Sequence, residues 1–550
     1  MSQPNRSTAV GRVVIDELVR GGIAHFVISP GSRSAALAMA AFDHPGAQIS
    51  VALDERSAGF RALGMSKAGT RAAVIVTSGT AVANLYPAVI EAEMSLTPLI
   101  VLTADRPVEL RGVGANQTID QVGAFGGHAT WSIDISHLPD TPEGVSTLRS
   151  TMSRAAAVNS GPAQVNIGFD EPLVPLTDDG RTRGDEFSSS IEGRANGAPW
   201  TAQTPVAPAP VELSADIVDT ERGLVIVGSS RGLVPGADQL AGLLGWPLIV
   251  EPTAGFRPPQ TISTAHFLSS AEVFAQAHRP DVVLMLGRPG LSRPVERMIA
   301  GVHRVVYDAG RWSDPTRQAE TLLSGPPVVG FASTRVGPWR RSWLEAEQLA
   351  RHALDEALDS SASPFRIARD LARVSVGPLV VASSMPVRLL DAVMPAGDTE
   401  VIANRGASGI DGFVSTALGV ATSRGMATAF AGDLSMLHDM NGFLVDTDHN
   451  AAFVVLNDNG GGIFSHLPPA RFPAHFERLF GTPHGRSFER YAAFHNVTHV
   501  LADPSDDLGV HVRGAADSGG IHLIETVVDR EGGPEAASAL RAAVDRALRS

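Results

Sequence analysis

Short apolar runs recur along the chain, each closed by turn-forming residues and separated from the next by a segment of helical length. HFVIS runs into Pro30, AAVIV into Thr77 and PLIVL into Thr103. GLVIV (223–227), PLIV (247–250), DVVLML (281–286) and RVVY (304–307) repeat the signature, and PLVVA (378–382), TAFAGD (428–433) and AAFVVLND (451–458) repeat it again. Continuous apolar runs, as opposed to alternating ones, mark parallel strands that helices cover on both faces. Three α/β units in series, each built on an open parallel sheet, account for this pattern most simply.

Between the first two sets lie TDDGRTRGDEFSSSIEGRANGAPW and the Pro-rich TPVAPAPV, a composition that reads as a linker because it offers little to bury. The second boundary falls where helical WRRSWLEAEQLARHALDEAL gives way to SSASP. The expected organisation is therefore a first unit at 1–180, a linker at 181–210, a second unit at 211–360 and a third at 361–550. A length of 550 residues is too great for one hydrophobic core and agrees with several.

Composition removes several classes of function. The net charge is −14 and the arginines are dispersed among acidic residues, so no broad positive field exists for a nucleic acid. MSQPNRSTAV lacks a basic segment followed by an apolar run, and no stretch approaches the roughly 20 apolar residues that span a bilayer, so a cytoplasmic location without a membrane partner is expected. The absence of cysteine excludes disulfides, thiolate catalysis and cysteine-held metals. Any anionic substrate must be held by a local group of arginines acting against the global charge.

Open α/β sheets bind ligands beyond the carboxyl ends of their strands. SPGSRS, TSGTAVAN, TADRP, ASSMPVR, AGDLS and NDNGGG all follow strand-like runs directly. Any one is ordinary turn chemistry, but six of them in two of the three units point to a site. Gly432 and Asp433 end one run, and Asn457, Asp458, Asn459, Gly460 and Gly461 end the next. Two such strand ends offer magnesium a carboxylate, a second side-chain oxygen and a glycine carbonyl, with a diphosphate to fill the other side.

This arrangement resembles the diphosphate–magnesium motif of thiamine-diphosphate enzymes, with Leu434 where that motif usually has a second glycine. The resemblance implies Asp433, Asp458 and the Gly460 carbonyl as metal ligands, with Mg2+ or alternatively Mn2+. The choice among Asn457, Asp458 and Asn459 stays open, because many relatives carry Asn at the position of Asp458. It further implies that Glu55, in VALDERSAGF, hydrogen-bonds the aminopyrimidine ring of the cofactor, a role that requires an apolar setting. Val51, Ala52, Leu53, Ala58 and Phe60 around it are compatible with that. In such enzymes the first unit binds the pyrimidine, the second is Rossmann-like and the third binds the diphosphate.

Longer words narrow the resemblance. SPGSRSAALAMA, TSGTAVANLYPAVIEA, TADRP, ANQTIDQ, ANRGASGIDGFVSTALG and NDNGGGIFSHLP together resemble the MenD family, transferases that decarboxylate 2-oxoglutarate and add the product to isochorismate in menaquinone synthesis. That similarity implies Arg33, Arg106, Arg293, Arg388 and Arg405 as a carboxylate-binding wall, with Ser32, Asn116, Gln117, Ser384 and Ile410 beside them. Of these, Arg33, Arg388 and Arg405 are also expected to act in catalysis. Gly432, Leu434, Ser435, Gly461, Ile463 and Phe464 complete the cofactor contacts, Ile463 and Phe464 serving either as an apolar wall or as plain core. Ser292 stands where the family commonly has lysine. His128, His438, His466 and His484 show no metal spacing and receive no role.

The resemblance also implies at least a homodimer, and a tetramer by expectation, with each cofactor site shared between chains. Another thiamine-diphosphate decarboxylase or an acetohydroxyacid synthase is the rival enzyme, and would have less use for so many arginines. A nucleotide-binding regulator is the rival outside enzymology, but no GxGxxG follows a strand.

Overall fold

Nineteen strands and the helices between them form three large parallel sheets and one two-stranded ribbon in the computed structural model, which describes residues 4–175, 186–204, 206–229, 233–330, 337–445 and 449–549. The first sheet holds β1 (His25–Ile28), β2 (Gln48–Val51), β3 (Ala72–Val76), β4 (Leu99–Asp105), β5 (Trp131–Ile135) and β6 (Pro162–Gly168) in the order β2-β1-β3-β4-β6-β5. After the ribbon strand β7 (Val211–Glu212) come β8 (Gly223–Val227), β9 (Leu248–Val250), β10 (Val282–Leu286), β11 (His303–Tyr307) and β12 (Ala319–Leu322), ordered β12-β11-β10-β8-β9. Beyond β13 (Pro327–Val328), which pairs with β7, the last sheet holds β14 (Leu379–Val381), β15 (Val401–Ala403), β16 (Ala427–Gly432), β17 (Ala451–Asn457), β18 (Thr498–Ala502) and β19 (Ile521–Val527). Its order, β15-β14-β16-β17-β19-β18, repeats the permutation of the first sheet strand for strand.

The apolar runs are strands because both of their faces are covered. Every residue of β3, β4, β8 and β10 is buried, whereas the edge strand β2 is largely exposed. The expected α/β class with three parallel sheets is what the chain adopts. Among the described residues no helix is long and apolar enough to cross a membrane.

Contacts divide the chain into two compact units. The first is Met1–Pro205 with Asn404–Gly425 and Leu437–His449, and it contains the first sheet. Here the helix Phe413–Arg424 packs on the helix Glu55–Lys67 at a distance that only glycine permits. A Cβ on Gly64 would lie 2.2 Å from the Thr416 carbonyl oxygen, and one on Gly419 would lie 2.1 Å from that of Arg61. Behind this crossing, the fully buried Asp439 accepts a 2.8 Å hydrogen bond from the Ser415 N–H. Burial pushes its carboxyl up to about 6, despite that bond and the nearby Arg56.

The polar stretch expected to be a linker is partly tied down within this unit. Phe187 is buried in the core and Ile191 packs against it. Glu17, itself buried, accepts from Arg149 at 2.7 Å, from Ser153 at 2.7 Å and from the Trp200 N–H at 2.5 Å. A buried carboxylate must find donors, and the segment supplies one of them from its backbone. Residues 181–185 and 205 of the expected linker lie outside the described residues.

The second unit is Val206–Ala403, Met426–Met436 and Asn450–Ser550, and it contains the other two sheets. They share one apolar core, in which Leu224 and Met285 join Leu379, Phe430 and Val454. The helix Pro338–Asp359, at the expected boundary, contributes Trp343, Ala350 and Leu354 to the same core.

Two consequences are measurable. Gly419→Ala should destabilise the protein by about 1–3 kcal/mol, because its Cβ meets backbone that cannot rotate away, whereas Gly514→Ala, with nothing within 4 Å of its Cβ, should leave stability equal or higher. Urea denaturation of both variants checks this. Because the folded-state carboxyl of Asp439 lies above its unfolded value, its contribution is fully present below about pH 4 and is lost as pH rises through about 6. Asp439→Asn should flatten the fall in thermal midpoint between those values.

Candidate active site

In the second unit the site is built on β16 and β17, whose parallel register sets Gly432 opposite Leu456, so that both chains leave the sheet at the same level. Asp433 follows β16 directly and is 1% exposed. Its Oδ1 accepts from the Leu434 N–H at 2.6 Å, and its Oδ2 accepts from the Gly460 N–H at 2.8 Å and lies 3.0 Å from His484 Nε2. Burial raises its pKa in spite of these partners.

Asp458 is pushed up to about 7, first by burial and then by the charge of Asp433. Its Oδ1 is buried without a hydrogen-bond partner. The neighbouring side chains differ. Asn457 Oδ1 accepts from the Asn459 N–H at 3.0 Å while its Nδ2 donates to Glu525 at 2.6 Å, and Asn459 Oδ1 accepts from the N–H groups of His484 and Gly485 at 3.1 and 2.8 Å. Of the three candidates left open by the sequence, Asp458 is the one with an orphaned oxygen. A buried and a half-buried carboxylate, one raising the other and one with a buried oxygen short of a partner, fit a divalent cation, which would favour the charged form of both.

Backbone geometry holds this turn open. Gly460 has φ 146°, and a Cβ there would lie 1.9 Å from the Gly481 carbonyl oxygen. That oxygen accepts from the Gly461 N–H at 2.8 Å. Arg530 clasps the turn from outside, donating to the carbonyls of Asp458 at 3.4 Å and Asn459 at 3.3 Å and to Glu477 at 3.1 Å. Ser435 is buried, Leu434 is half-buried, and half-buried Ile463 and Phe464 follow the turn, the Phe464 ring 5.5 Å from that of Phe480.

A cavity of about 220 Å³ in the same unit gathers Arg293, Arg388 and Ile463 with Met385, Leu389 and Leu467. Arg388 donates to the Ser384 carbonyl at 2.6 Å. Ser384 has φ 73°, a left-handed conformation that a non-glycine residue adopts only under constraint, at the entry to the helix Met385–Val393.

In the first unit, Arg106 donates to the Ser78 hydroxyl and to the Gln117 carbonyl, the latter at 3.1 Å. Gln117, with φ 54°, returns a bond from Nε2 to the Ser78 carbonyl at 3.1 Å. Arg33 donates to the Phe169 carbonyl at 2.8 Å and pairs with Glu171 at 3.4 Å. Burial and then Arg33 lower the pKa of Arg106, so the two guanidiniums share one neighbourhood. Ser32 and Asn116 are exposed, and Arg405 and Ile410 are half-buried.

Glu55 opens the helix Glu55–Lys67 and accepts from Asn84 Nδ2 at 3.4 Å. The apolar enclosure expected around it is only half built by this chain. Ala52, Ala58 and Phe60 are buried, but Leu53 is 64% exposed and Val51 41%, because both lie at the open edge beside β2.

Three residues escaped the sequence reading. His484 and Arg530 reach Asp433 and the Asp458 turn from loops distant in sequence, and nothing in their local pattern marks them. Glu91, buried, accepts from the N–H groups of Gly406 and Ala407 at 2.8 and 2.7 Å and from Lys67 at 3.0 Å, fixing the turn that carries Arg405. An acid in the apolar word PAVIEA was the available signal for it.

Comparison with known proteins agrees with this geometry. Residues 8–124 match the family described as thiamine pyrophosphate enzyme, N-terminal TPP binding domain. The 2-succinyl-5-enolpyruvyl-6-hydroxy-3-cyclohexene-1-carboxylate synthase of Thermobifida fusca is 41% identical over 99% of this chain and 100% of its own length. Proteins of the same description from Myxococcus xanthus and Geobacillus kaustophilus are 40% and 38% identical, over 96% and 94% of this chain and the same shares of their own. The chain belongs to the 2-succinyl-5-enolpyruvyl-6-hydroxy-3-cyclohexene-1-carboxylate synthase family of thiamine-diphosphate enzymes.

Proposed function

We propose that this chain is a cytoplasmic transferase, dependent on thiamine diphosphate and Mg2+, that decarboxylates 2-oxoglutarate and joins the remaining four-carbon unit by 1,4-addition to isochorismate, on the route to menaquinone. The product is the one for which its relatives are named. The observation that carries the reading is the pair Asp433, buried, and Asp458, half-buried, at adjacent strand ends with one buried oxygen left over.

In this reading Asp433, Asp458 and the Gly460 carbonyl hold Mg2+, or Mn2+ in its place. Gly432, Leu434, Ser435 and Gly461 border the diphosphate, and Ser384 and Ile410 border the rings. When bound, thiamine diphosphate supplies the nucleophilic carbon and the electron sink that loss of CO2 from a 2-oxoacid requires. The protein's own part is to orient and to shield. Glu55 hydrogen-bonds the pyrimidine nitrogen and controls its proton. Ile463 and Phe464 keep water from the reacting carbon. Arg33, Arg106, Arg293, Arg388 and Arg405, with Ser32, Asn116 and Gln117, take up the carboxylates of donor and acceptor. Guanidiniums in such number favour this reading over acetohydroxyacid synthase or a simple decarboxylase, whose smaller substrates would leave several of them without a partner.

The half-built surroundings of Glu55, next to the exposed apolar residues Phe42, Ile49, Val51 and Leu53, support a homodimer at least, and a tetramer as two such pairs. A partner chain then covers this edge and brings its own diphosphate turn to Glu55. Co-expressed Glu55→Gln and Asp433→Ala chains test the residues and the assembly together. Each variant alone should be nearly inactive, and Asp433→Ala should bind thiamine diphosphate at least about tenfold more weakly by calorimetry. In random mixtures half of the dimers are mixed and each keeps one of two sites, so about a quarter of wild-type activity should return. No recovery would place both residues of a site in one chain, and unchanged cofactor affinity would remove Asp433 from the metal.

A further inference from the structure

The cavity of the second unit is lined by more positive charge than the reading above uses. Its far wall is the helix Gly532–Ala547, which contributes Ala537 and, one turn on, Arg541. Arg541 lies at the exposed rim, so its guanidinium meets solvent on one side and the cavity on the other. Neither Arg541 nor Arg293 has a hydrogen bond or an ion pair among the described residues.

The other lining groups leave these two cations without a counter-charge. Asp391, the carboxylate on the lining, is 3.4 Å from Arg257 and is committed to it. His266 is held down to about 4 by burial and then by Arg541 and Arg297, so it is neutral at neutral pH, and its Nδ1 lies 3.3 Å from the Ser292 hydroxyl. Ser292 itself adds no charge. Arg388 and His466 add no negative charge, and Phe365, Met385, Leu389, Ile463 and Leu467 supply apolar wall between the polar groups. A cavity of this kind, about 220 Å³ with an apolar wall and unpaired guanidiniums from separate helices, suits a ring carrying carboxylates at separated positions.

We propose that Arg541 is a carboxylate-binding residue of this cavity that, together with Arg293, selects the ring-bearing acceptor over the 2-oxoacid donor. The inference rests on the function proposed above and deepens it. The name of the relatives' product describes a cyclohexene ring with its own carboxylate and an enolpyruvyl group with a second. Both belong to the acceptor, and two anions set apart on a ring require two cations set apart on the protein. The donor brings its distal carboxylate on a flexible chain and must react first, so it occupies the deeper position. The acceptor arrives second and fills the space up to the rim, where Arg541 stands. Arg541 takes over there the charge that Ser292 does not provide.

Calorimetric titration of isochorismate and, separately, of 2-oxoglutarate into the magnesium- and thiamine-diphosphate-loaded protein tests this. Arg541→Gln should raise the Kd for isochorismate at least about tenfold more than that for 2-oxoglutarate, and Arg541→Lys should recover part of the loss. Because the side chain is at the rim, the thermal midpoint of both variants reports whether the fold is intact. Equal losses for the two ligands, or no loss for isochorismate, would overturn the proposal while leaving the assigned reaction in place. Failure of the wild-type protein to form the adduct from 2-oxoglutarate and isochorismate together would overturn both.

Discussion

Two carboxylates brought to neighbouring strand ends, one buried and one half-buried and within reach of each other's charge, resist being ionised together. Much of the architecture of the second unit follows from that constraint. The parallel register of β16 and β17 sets Asp433 and Asp458 at one level. Gly460 lets the chain turn where no side chain fits. His484 and Arg530 bind the turn from outside without occupying the orphaned Asp458 oxygen.

The second constraint is anionic substrates in an acidic chain. With a net charge of −14 the protein has no overall positive field to attract them, and its guanidiniums stand instead in small local groups. Arg33 and Arg106 form one such group in the first unit, each steadied by a backbone carbonyl oxygen of that unit. Arg293 and Arg388 form another on the cavity of the second. Bonds to carbonyls fix a guanidinium's orientation without cancelling its charge.

The repeated apolar runs were enough to read the three sheets, because a strand buried on both faces has no polar positions to disguise it. Gly432, Asp433 and the Asn-rich turn stood out for a related reason: glycine and short polar residues gather directly behind two continuous apolar runs. What stayed hidden depends on contacts between distant segments. His484, Arg530 and Glu91 act through bonds to residues 51, 72 and 315 positions away, and no local pattern records them. The segment holding Phe187 and Trp200 looked like a linker because its polar composition conceals a few anchoring bonds to Glu17 and Arg149. The setting of Glu55 was read as more enclosed than one chain makes it.

The reaction itself is the most direct test. Wild-type protein supplied with Mg2+, thiamine diphosphate, 2-oxoglutarate and isochorismate should form the succinyl adduct, detected by mass spectrometry, and should discriminate strongly against pyruvate as donor. With 2-oxoglutarate alone it should release succinic semialdehyde slowly. Equal use of pyruvate, or release of succinic semialdehyde with no adduct when isochorismate is present, would contradict the assignment.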